Sequence, residues 1–211
     1  MFRTLTLLAL AGCAAKSAST QPRTQMRDDV RFEQLTKKVW MHTTSQEVEG
    51  FGAVSSNGLL VVDGNHSVLV DTAWNNTQTR VILEWADEVL GKPVEAAVFT
   101  HAHQDKMGGV GALRERDLPT FALSSSNEVA LSRNLVKAGN DLTLDEDGIS
   151  DELGGIEVYY PGGGHTPDNL VVSVPGQDVL FGGCLVRPGD ATDLGNTADA
   201  EVGNWPTAVA N

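Results

Sequence analysis

The chain has 211 residues, of which 41% are hydrophobic, and its 15 basic and 28 acidic side chains give a formal net charge of −13 at pH 7. That length and apolar content are sufficient for one compact domain with a sizeable core. A surface of this charge repels phosphate backbones, which argues against nucleic acid as a partner. The charge by itself says nothing about the substrate.

The first thirteen residues have the pattern of a bacterial export signal. Arg3 precedes a short apolar stretch, Leu5 to Ala11, that is too short to span a bilayer as a mature helix. This stretch ends in LAGC, which resembles the lipobox of bacterial lipoproteins, where the cysteine, here Cys13, becomes the lipidated first residue. The alternative is cleavage as an ordinary signal peptide near AGCAA. We expect a periplasmic protein that is anchored to the outer membrane through lipid on Cys13.

Residues 14–30 are polar and unpatterned, which predicts a tether between the anchor and a globular domain over residues 31–211. Export implies an oxidising compartment, yet the only cysteine besides Cys13 is Cys184. No intramolecular disulfide is therefore expected, unless Cys13 is both retained and unmodified. Cys184 is left for another role.

The first part of the domain combines β-rich segments with one helix. Short β-rich runs from Val39 to Val70 predict antiparallel hairpins that turn at Asn57-Gly58 and Asp63-Gly64. The next segment predicts a helix that is capped by Asn75 or Asn76 and whose apolar face is formed by Val81, Ile82, Trp85 and Val89.

Strands and helices then alternate to the end of the chain, which is typical of an α/β fold. VEAAVFT, TFAL, IEVYY and DVLF predict strands, and a hairpin turn is predicted at Pro175-Gly176. One helix is predicted near Val110 to Asp117, and another begins with a capping-box pattern at Ser125 and Glu128. VEAAVFT, IEVYY and DVLF are each followed by a glycine-bearing loop that carries a potential metal ligand, so one site built from distant segments is expected.

Three of the five histidines follow these strands. His101 and His103 share one side of an extended backbone, so both can bind one ion, and His165 can complete a three-nitrogen site with a fourth position open for water. Such a site makes hydroxide at neutral pH. His42 and His66 have no convergent ligands around them in the sequence, which favours surface or packing roles.

Two further side chains in the same loops are metal ligands by type. Asp105 offers an oxygen and Cys184 a thiolate to a second ion beside the first. Two zinc ions a few ångströms apart can share a hydroxide and stabilise both the attacking and the leaving atoms. Hydrolysis is the chemistry that this pattern indicates.

The segments FGAVSSNGL, DTAW, THAHQDKMGG, PGGGHTPDN, FGGCL and LGN resemble the metallo-β-lactamases, and most closely the New Delhi type. The resemblance runs from about Val39 to Asn196. It implies a four-layer αβ/βα sandwich, two zinc ions per intact enzyme, and hydrolysis of the β-lactam amide bond, which causes antibiotic resistance.

Two positions separate this chain from other families that share the implied fold. Glyoxalase II, lactonases and many nucleases have a histidine directly after the metal-binding aspartate, where this chain has Lys106. They also use a bridging aspartate at the position of Cys184. Both exchanges resemble the β-lactamase pattern and argue against another hydrolase of the same fold.

The resemblance also implies roles for individual residues. The implied ligands are, for the first zinc, His101, His103 and His165, and for the second, Asp105 and Cys184. Arg187 matches the basic residue that pairs with the substrate carboxylate, and Asn196 matches the catalytic-loop asparagine near the lactam carbonyl; for both, the alternative is an ordinary surface side chain. Asp71 and Lys106 are implied to support the ligands, and the hairpin TTSQEVEGFG resembles a mobile flap over the substrate.

The mechanism implied by the family is direct attack of hydroxide on the lactam carbonyl, with the second zinc stabilising the expelled nitrogen. No covalent intermediate is needed, and the chain has no S-x-x-K serine motif.

The resemblance breaks near the C-terminus. The family's second zinc takes a further histidine beyond LGN, whereas this sequence has no histidine after His165. We expect the sandwich to be C-terminally truncated, with an exposed apolar face and an unpaired strand edge. Two interpretations stay open: a fragment of a working zinc β-lactamase, which the intact motifs favour, or a complete, non-catalytic or marginal zinc-binding lipoprotein.

Overall fold

The computed structural model describes residues 24–187, 189 and 191–211. Cys13 and most of the predicted tether therefore lie outside the described residues. No helix in the described part of the chain is long and apolar enough to cross a bilayer.

An eight-stranded sheet forms the first half of the domain, with its strands side by side in chain order. They are β1 (Thr24–Arg27), β2 (Val30–Gln34), β3 (Val39–Val48), β4 (Gly52–Asp63), β5 (His66–Val70), β6 (Val94–Val98), β7 (Thr120–Ala122) and β8 (Asn140–Asp141). Strands β1 to β5 are antiparallel to their neighbours, whereas β5 to β8 run parallel. The parallel connections from β5 to β8 contain the helices of this half.

The helices are α1 (Asn76–Glu88), α2 (Gln104–Met107), α3 (Val110–Arg114), α4 (Ser124–Ser132) and α5 (Trp205–Ala210). A second, antiparallel sheet consists of β9 (Ile149–Ser150), β10 (Glu157–Tyr159), β11 (Val171–Val174) and β12 (Val179–Phe181), in the order β12-β11-β10-β9. A single 3-10 turn, Gly183–Leu185, follows β12.

Side chains that alternate along the central strands separate the layers. Leu60 and Leu69 pack with α1, α3 and α4, whereas Leu59 and Val61 face the second sheet. On the outer side of the second sheet, a small cluster joins β11 to α5 through Val171, Leu185, Trp205 and Ala208. The order of layers is helices, sheet, sheet, helix, which confirms the predicted α/β four-layer sandwich.

The turn predicted at Asn57-Gly58 is wrong. Both residues lie inside β4, opposite Thr43 and His42 of β3, and the chain turns instead between Val48 and Gly52. A Cβ on Gly58 would overlap the imidazole of His42 and the carbonyl oxygen of Val70. Glycine is needed here for close packing on a buried side chain and not for a turn. The turn after Asp63 is as predicted.

Helix α1 is capped by Asn75, whose side-chain oxygen accepts a hydrogen bond from the N–H of Gln78 at 3.0 Å, as expected. Val89 does not belong to its buried face, because the helix ends at Glu88 and Val89 is exposed. The capping box predicted at Ser125 and Glu128 is also wrong: α4 begins at Ser124, directly after β7, and has no side-chain cap.

The predicted boundary between tether and domain at residue 30 moves toward the N-terminus. Strand β1 pairs with β2 within residues 24–34, and Val30 is fully buried in the core. In the second sheet, β12 is one of the two edge strands in the described structure, and the side chain of Leu180 on it is 71% exposed.

Candidate metal centre

The loops that carry the candidate ligands meet at one end of the two sheets. His101 and His103 follow β6, His165 follows β10 in a glycine-rich loop, and Cys184 follows β12 in the 3-10 turn. The backbone between the first two histidines is not extended as expected, because the N–H of His103 donates to the carbonyl of His101 at 3.1 Å. This tight turn still directs both rings to one point.

Three ring nitrogens face one another at that point. His101 Nε2 and His165 Nε2 lie 3.1 Å and 3.2 Å from His103 Nδ1. In the described part of the chain, this trio is the one group of three or more potential ligands whose donor atoms all lie within 4.8 Å of one another. Two bonds of about 2.0–2.1 Å to a tetrahedral zinc ion place their nitrogens about 3.3 Å apart. The observed spacing fits a zinc ion with little adjustment.

Two of the three histidines, His101 and His165, are also held in the neutral form that a metal requires. Burial lowers the pKa of His101 well below its ordinary value and lowers that of His165 to about 4. Neutral imidazoles offer a lone pair to a metal without first losing a proton. The donor set therefore fits zinc chemically as well as geometrically.

A buried carboxylate stands behind His101. Thr100 donates its N–H and its hydroxyl to the two carboxylate oxygens of Asp71, at 2.7 Å and 2.8 Å. The same hydroxyl oxygen lies 3.1 Å from His101 Nδ1, so it accepts the Nδ1–H and leaves Nε2 free for a metal. Burial raises the pKa of Asp71 to about 6, and its backbone has a φ of 61°. These contacts hold Asp71 in a conformation that residues other than glycine rarely adopt.

Asp105, Lys106 and Cys184 lie together beside the histidines. The Asp105 carboxylate is 3.3 Å from the ammonium of Lys106 and 3.8 Å from the sulfur of Cys184. Lys106 is buried, lies 3.7 Å from the Asp71 carboxylate, and donates to the hydroxyl of Ser56 at 2.7 Å. This lysine joins the two carboxylates on either side of it.

The charges in this group decide which forms prevail. Burial opposes ionisation of Asp105, but Lys106 and the neighbouring histidines hold its pKa below the ordinary range. Burial likewise opposes the charge of Lys106, which Asp105 offsets, so the lysine pKa is raised. Burial raises the pKa of Cys184 to about 12, against the attraction of Lys106. Without a metal the pair is thus a carboxylate and a neutral thiol.

Arg187 and Asn196 lie on exposed parts of the loop that precedes α5. A guanidinium nitrogen of Arg187 is 3.7 Å from the carboxylate of Asp193, and the side-chain oxygen of Asn196 accepts the N–H of Ala198 at 3.1 Å. The predicted flap is the hairpin of β3 and β4, with Phe51 exposed at its tip.

Sequence reasoning missed three residues that hold the ligands. Asp199 accepts a hydrogen bond from His103 Nε2 at 3.0 Å, and Ser56 donates to the Asp105 carboxylate at 2.8 Å. Asp168, three residues after His165, accepts the N–H of Ala102 at 3.0 Å and joins the two histidine loops. Asp168 and Ser56 carry a local signal, their places in the quoted motifs PGGGHTPDN and FGAVSSNGL, whereas Asp199 carries none.

The two remaining histidines agree with the packing and surface roles expected for them. His42 is fully buried, and its Nε2–H donates to the carbonyl of Asp71 at 3.2 Å. Burial lowers the pKa of His42 to about 4. His66 is exposed, with its Nδ1 3.3 Å from a carboxylate oxygen of Glu95.

Comparison with known proteins places this geometry in a family. The family model described as the metallo-beta-lactamase superfamily matches residues 51–207. A metallo-beta-lactamase type 2 of Bacteroides fragilis is 34% identical over 191 residues, covering 90% of this chain and 76% of that protein. One from Bacillus sp. (strain 170) is 38% identical over 185 residues, covering 86% and 70%.

Solved structures agree with these sequence matches. The crystal structure of a metallo-beta-lactamase from Erythrobacter litoralis has a TM-score of 0.86 and 47% identity, with 90% of this chain and 85% of that one covered. The mono-zinc form of the metallo-beta-lactamase FIM-1 from Pseudomonas aeruginosa has a TM-score of 0.83 and 49% identity, with 86% and 80% covered. By sequence, fold and the geometry of its three histidines, the chain belongs to the metallo-β-lactamase superfamily.

Proposed function

We propose that the protein is a zinc-dependent hydrolase of the β-lactam amide bond, and that it confers resistance to β-lactam antibiotics. The observation that carries this proposal is the convergence of three ring nitrogens, from His101, His103 and His165, at the spacing of a tetrahedral site. The printed names of its similar proteins supply the substrate class.

The proposed roles follow from what each side chain can do. The three histidines would hold one zinc ion, and Asp105 with Cys184 would contribute to a second. When bound, zinc lowers the pKa of water and polarises carbonyl groups. Arg187 would pair through its planar guanidinium with the substrate carboxylate, and Asn196 would donate from its amide to the lactam carbonyl oxygen.

Lys106 has a supporting role in this scheme. Its buried charge lies 3.3 Å from Asp105 and keeps that carboxylate ionised, as a metal ligand must be. We further propose that hydrolysis proceeds by attack of hydroxide without a covalent intermediate, and that the chain is of the New Delhi type, on motifs such as THAHQDKMGG and FGGCL.

The test is hydrolysis of a carbapenem together with zinc content. We expect turnover that a chelator abolishes and that added zinc restores. Exchange of His165 for alanine should abolish turnover, whereas exchange of the exposed His66 should not, because His66 lies outside the cluster. Turnover that persists in chelator would contradict the proposal.

The alternative is a non-catalytic or marginal zinc-binding protein. It is favoured by one observation: within the described residues, Asp105 and Cys184 offer a second ion two ligands, whereas a catalytic zinc ordinarily has three from the protein. Zinc bound at the three histidines without any turnover would support this alternative. Another hydrolase of the same fold is disfavoured by Lys106 and Cys184.

We also propose that the protein is a periplasmic lipoprotein anchored to the outer membrane through Cys13. The support is the LAGC pattern after a short apolar stretch. Cells fed a labelled fatty acid should incorporate label into the protein, and Cys13→Ser should remove it. Protein that is found in the membrane fraction but carries no fatty-acid label would contradict lipid anchoring.

A further inference from the structure

One ligand of the metal centre is attached to a chain of contacts that crosses the domain. His103 Nε2 lies 3.0 Å from one carboxylate oxygen of Asp199, and the other oxygen lies 2.7 Å from a guanidinium nitrogen of Arg133. Asp199 belongs to the loop before α5, and Arg133 is the C-cap of α4. The Asp199 carboxylate therefore joins a loop of the second half both to α4, through Arg133, and to His103.

The two nitrogens of the His103 ring face different partners. Nδ1 points to His101 and His165, whereas Nε2 points to Asp199. A carboxylate can only accept a hydrogen bond, so the proton must be on Nε2 and the lone pair on Nδ1. The contact with Asp199 thus selects the tautomer that can bind a metal and fixes the ring plane.

Arg133 determines where Asp199 stands. Its own backbone N–H is bonded to the carbonyls of Val129 and Ala130 at the end of α4, so its base is fixed by a helix. Asp199, by contrast, lies in a loop without regular structure. The ion pair therefore fixes the Asp199 carboxylate relative to α4, and the hydrogen bond to that carboxylate fixes the ring of His103.

We propose that Asp199 and Arg133 are positioning residues of the metal centre: Asp199 orients His103 for zinc, and Arg133 orients Asp199. The inference rests on the proposed zinc site. It predicts a hierarchy, in which Asp199 matters more for zinc affinity than Arg133, and in which the Arg133 effect disappears once Asp199 is removed.

The test measures zinc affinity of the full chain by competition with a chromophoric chelator, together with the visible spectrum of the cobalt-substituted protein. We expect Asp199→Ala to weaken zinc binding about tenfold or more, as for other partners of metal-bound histidines. Asp199→Asn keeps an oxygen acceptor for the Nε2–H, so it should recover most of that loss. Arg133→Ala should weaken binding about two- to fivefold, as for an exposed ion pair.

Arg116→Ala is the matched control. Arg116 pairs with Asp87 at 2.6 Å with side chains 36% and 34% exposed, compared with 36% and 33% for Arg133 and Asp199. This control should leave zinc affinity and the cobalt spectrum unchanged, although it removes a similar surface ion pair. Melting temperatures of all variants separate loss of folding from loss of the site.

The outcomes are distinct. If the parent chain binds zinc but Asp199→Ala binds it as tightly as Arg116→Ala does, the positioning role is overturned and the zinc site stands. The proposed order of action would be overturned if Asp199→Ala and Arg133→Ala weakened zinc binding equally and if their effects added in the double variant. A parent chain that binds no zinc would overturn this inference and the proposed function together.

Discussion

At the scale of single residues, the candidate metal centre contains side chains whose pKa values are shifted by burial and by neighbouring charges. Asp71 and Asp105 compete for one buried lysine, Lys106, whose ammonium lies 3.7 Å and 3.3 Å from their carboxylates. Cys184 beside them is a neutral thiol without metal, because burial raises its pKa to about 12. A bound ion would have to displace the thiol proton of Cys184, so the affinity of this position depends on how well the metal binds a thiolate.

Cys184→Ser should weaken a second metal ion far more than the first. Serine replaces a soft thiolate with a hard hydroxyl, whereas the three histidines are unchanged. Titration of zinc into the variant, followed by metal analysis, should show one tight ion and loss of the second. Equal weakening of both ions would contradict the assignment of Cys184.

His42 should make folding stability depend on pH. Its pKa is about 4 in the folded protein, below the ordinary value of 6.5, so the unfolded chain binds the extra proton between these values. Its contribution to stability is therefore complete above pH 6.5 and is lost as pH falls toward 4, by about 1.4 kcal/mol per pH unit. Urea unfolding at several values between pH 7 and pH 4.5 gives the free energy of unfolding as a function of pH. This free energy should fall less steeply with falling pH in His42→Gln than in the parent chain. An unchanged slope would mean that His42 is not the group responsible.

At the scale of elements, strand ends and the loops after them explain the site. Parallel β6 and antiparallel β10 and β12 belong to different sheets, yet the loops after them meet because the sheets pack face to face. The pairing of β3 with β4 then lays Ser56 and the carbonyl of Asn57 against Lys106. Close packing at Gly58 is needed for this arrangement, since His42 of β3 lies against it.

Gly58→Ala should destabilise the protein by about 1–3 kcal/mol, the usual cost of adding a methyl group to a filled core. The new Cβ would meet the His42 ring and a carbonyl oxygen. Gly203→Ala is the control, because no atom lies within 4 Å of a Cβ built there. Chemical denaturation of both variants checks this, and equal stabilities would show that β4 relaxes without cost.

At the scale of the whole molecule, the described structure has two large hydrophobic cores and an exposed apolar side chain on one edge strand. One core lies between the first sheet and its helices, and the other lies between the two sheets. Strand β12 forms an outer edge in the described structure, and Leu180 on it is 71% exposed. An apolar, unpaired edge is a template for association with another chain.

Leu180→Lys should reduce self-association without lowering the melting temperature, because a charge on an edge strand opposes strand pairing while the exposed leucine contributes little to the core. Leu131→Lys is the control: Leu131 is 59% exposed, but it lies on α4 and not on a strand edge. Light scattering as a function of concentration should separate the two variants. Equal scattering from both would indicate general surface hydrophobicity and not the edge.

Local motifs in the sequence were sufficient to indicate the family, with the four-layer fold that the family implies, and the three histidines that converge in the structure. These motifs each span only a few consecutive residues, as in HAHQD and GGGH. They combine a strand end, a glycine-bearing loop and ligand types at fixed spacing. The separation of the two cores follows from the alternation of apolar residues along the central strands.

Which other side chains complete the site depends on tertiary packing. Asp199 is 96 residues from His103 along the chain, and Ser56 is 49 residues from Asp105, so no local pattern connects either pair. The same holds for Gly58, which has the sequence context of a turn but lies in a strand because a buried imidazole faces it. Ligand identity is a local chemical property, whereas orientation of a ligand depends on contacts that exist only after the two halves of the domain have packed together.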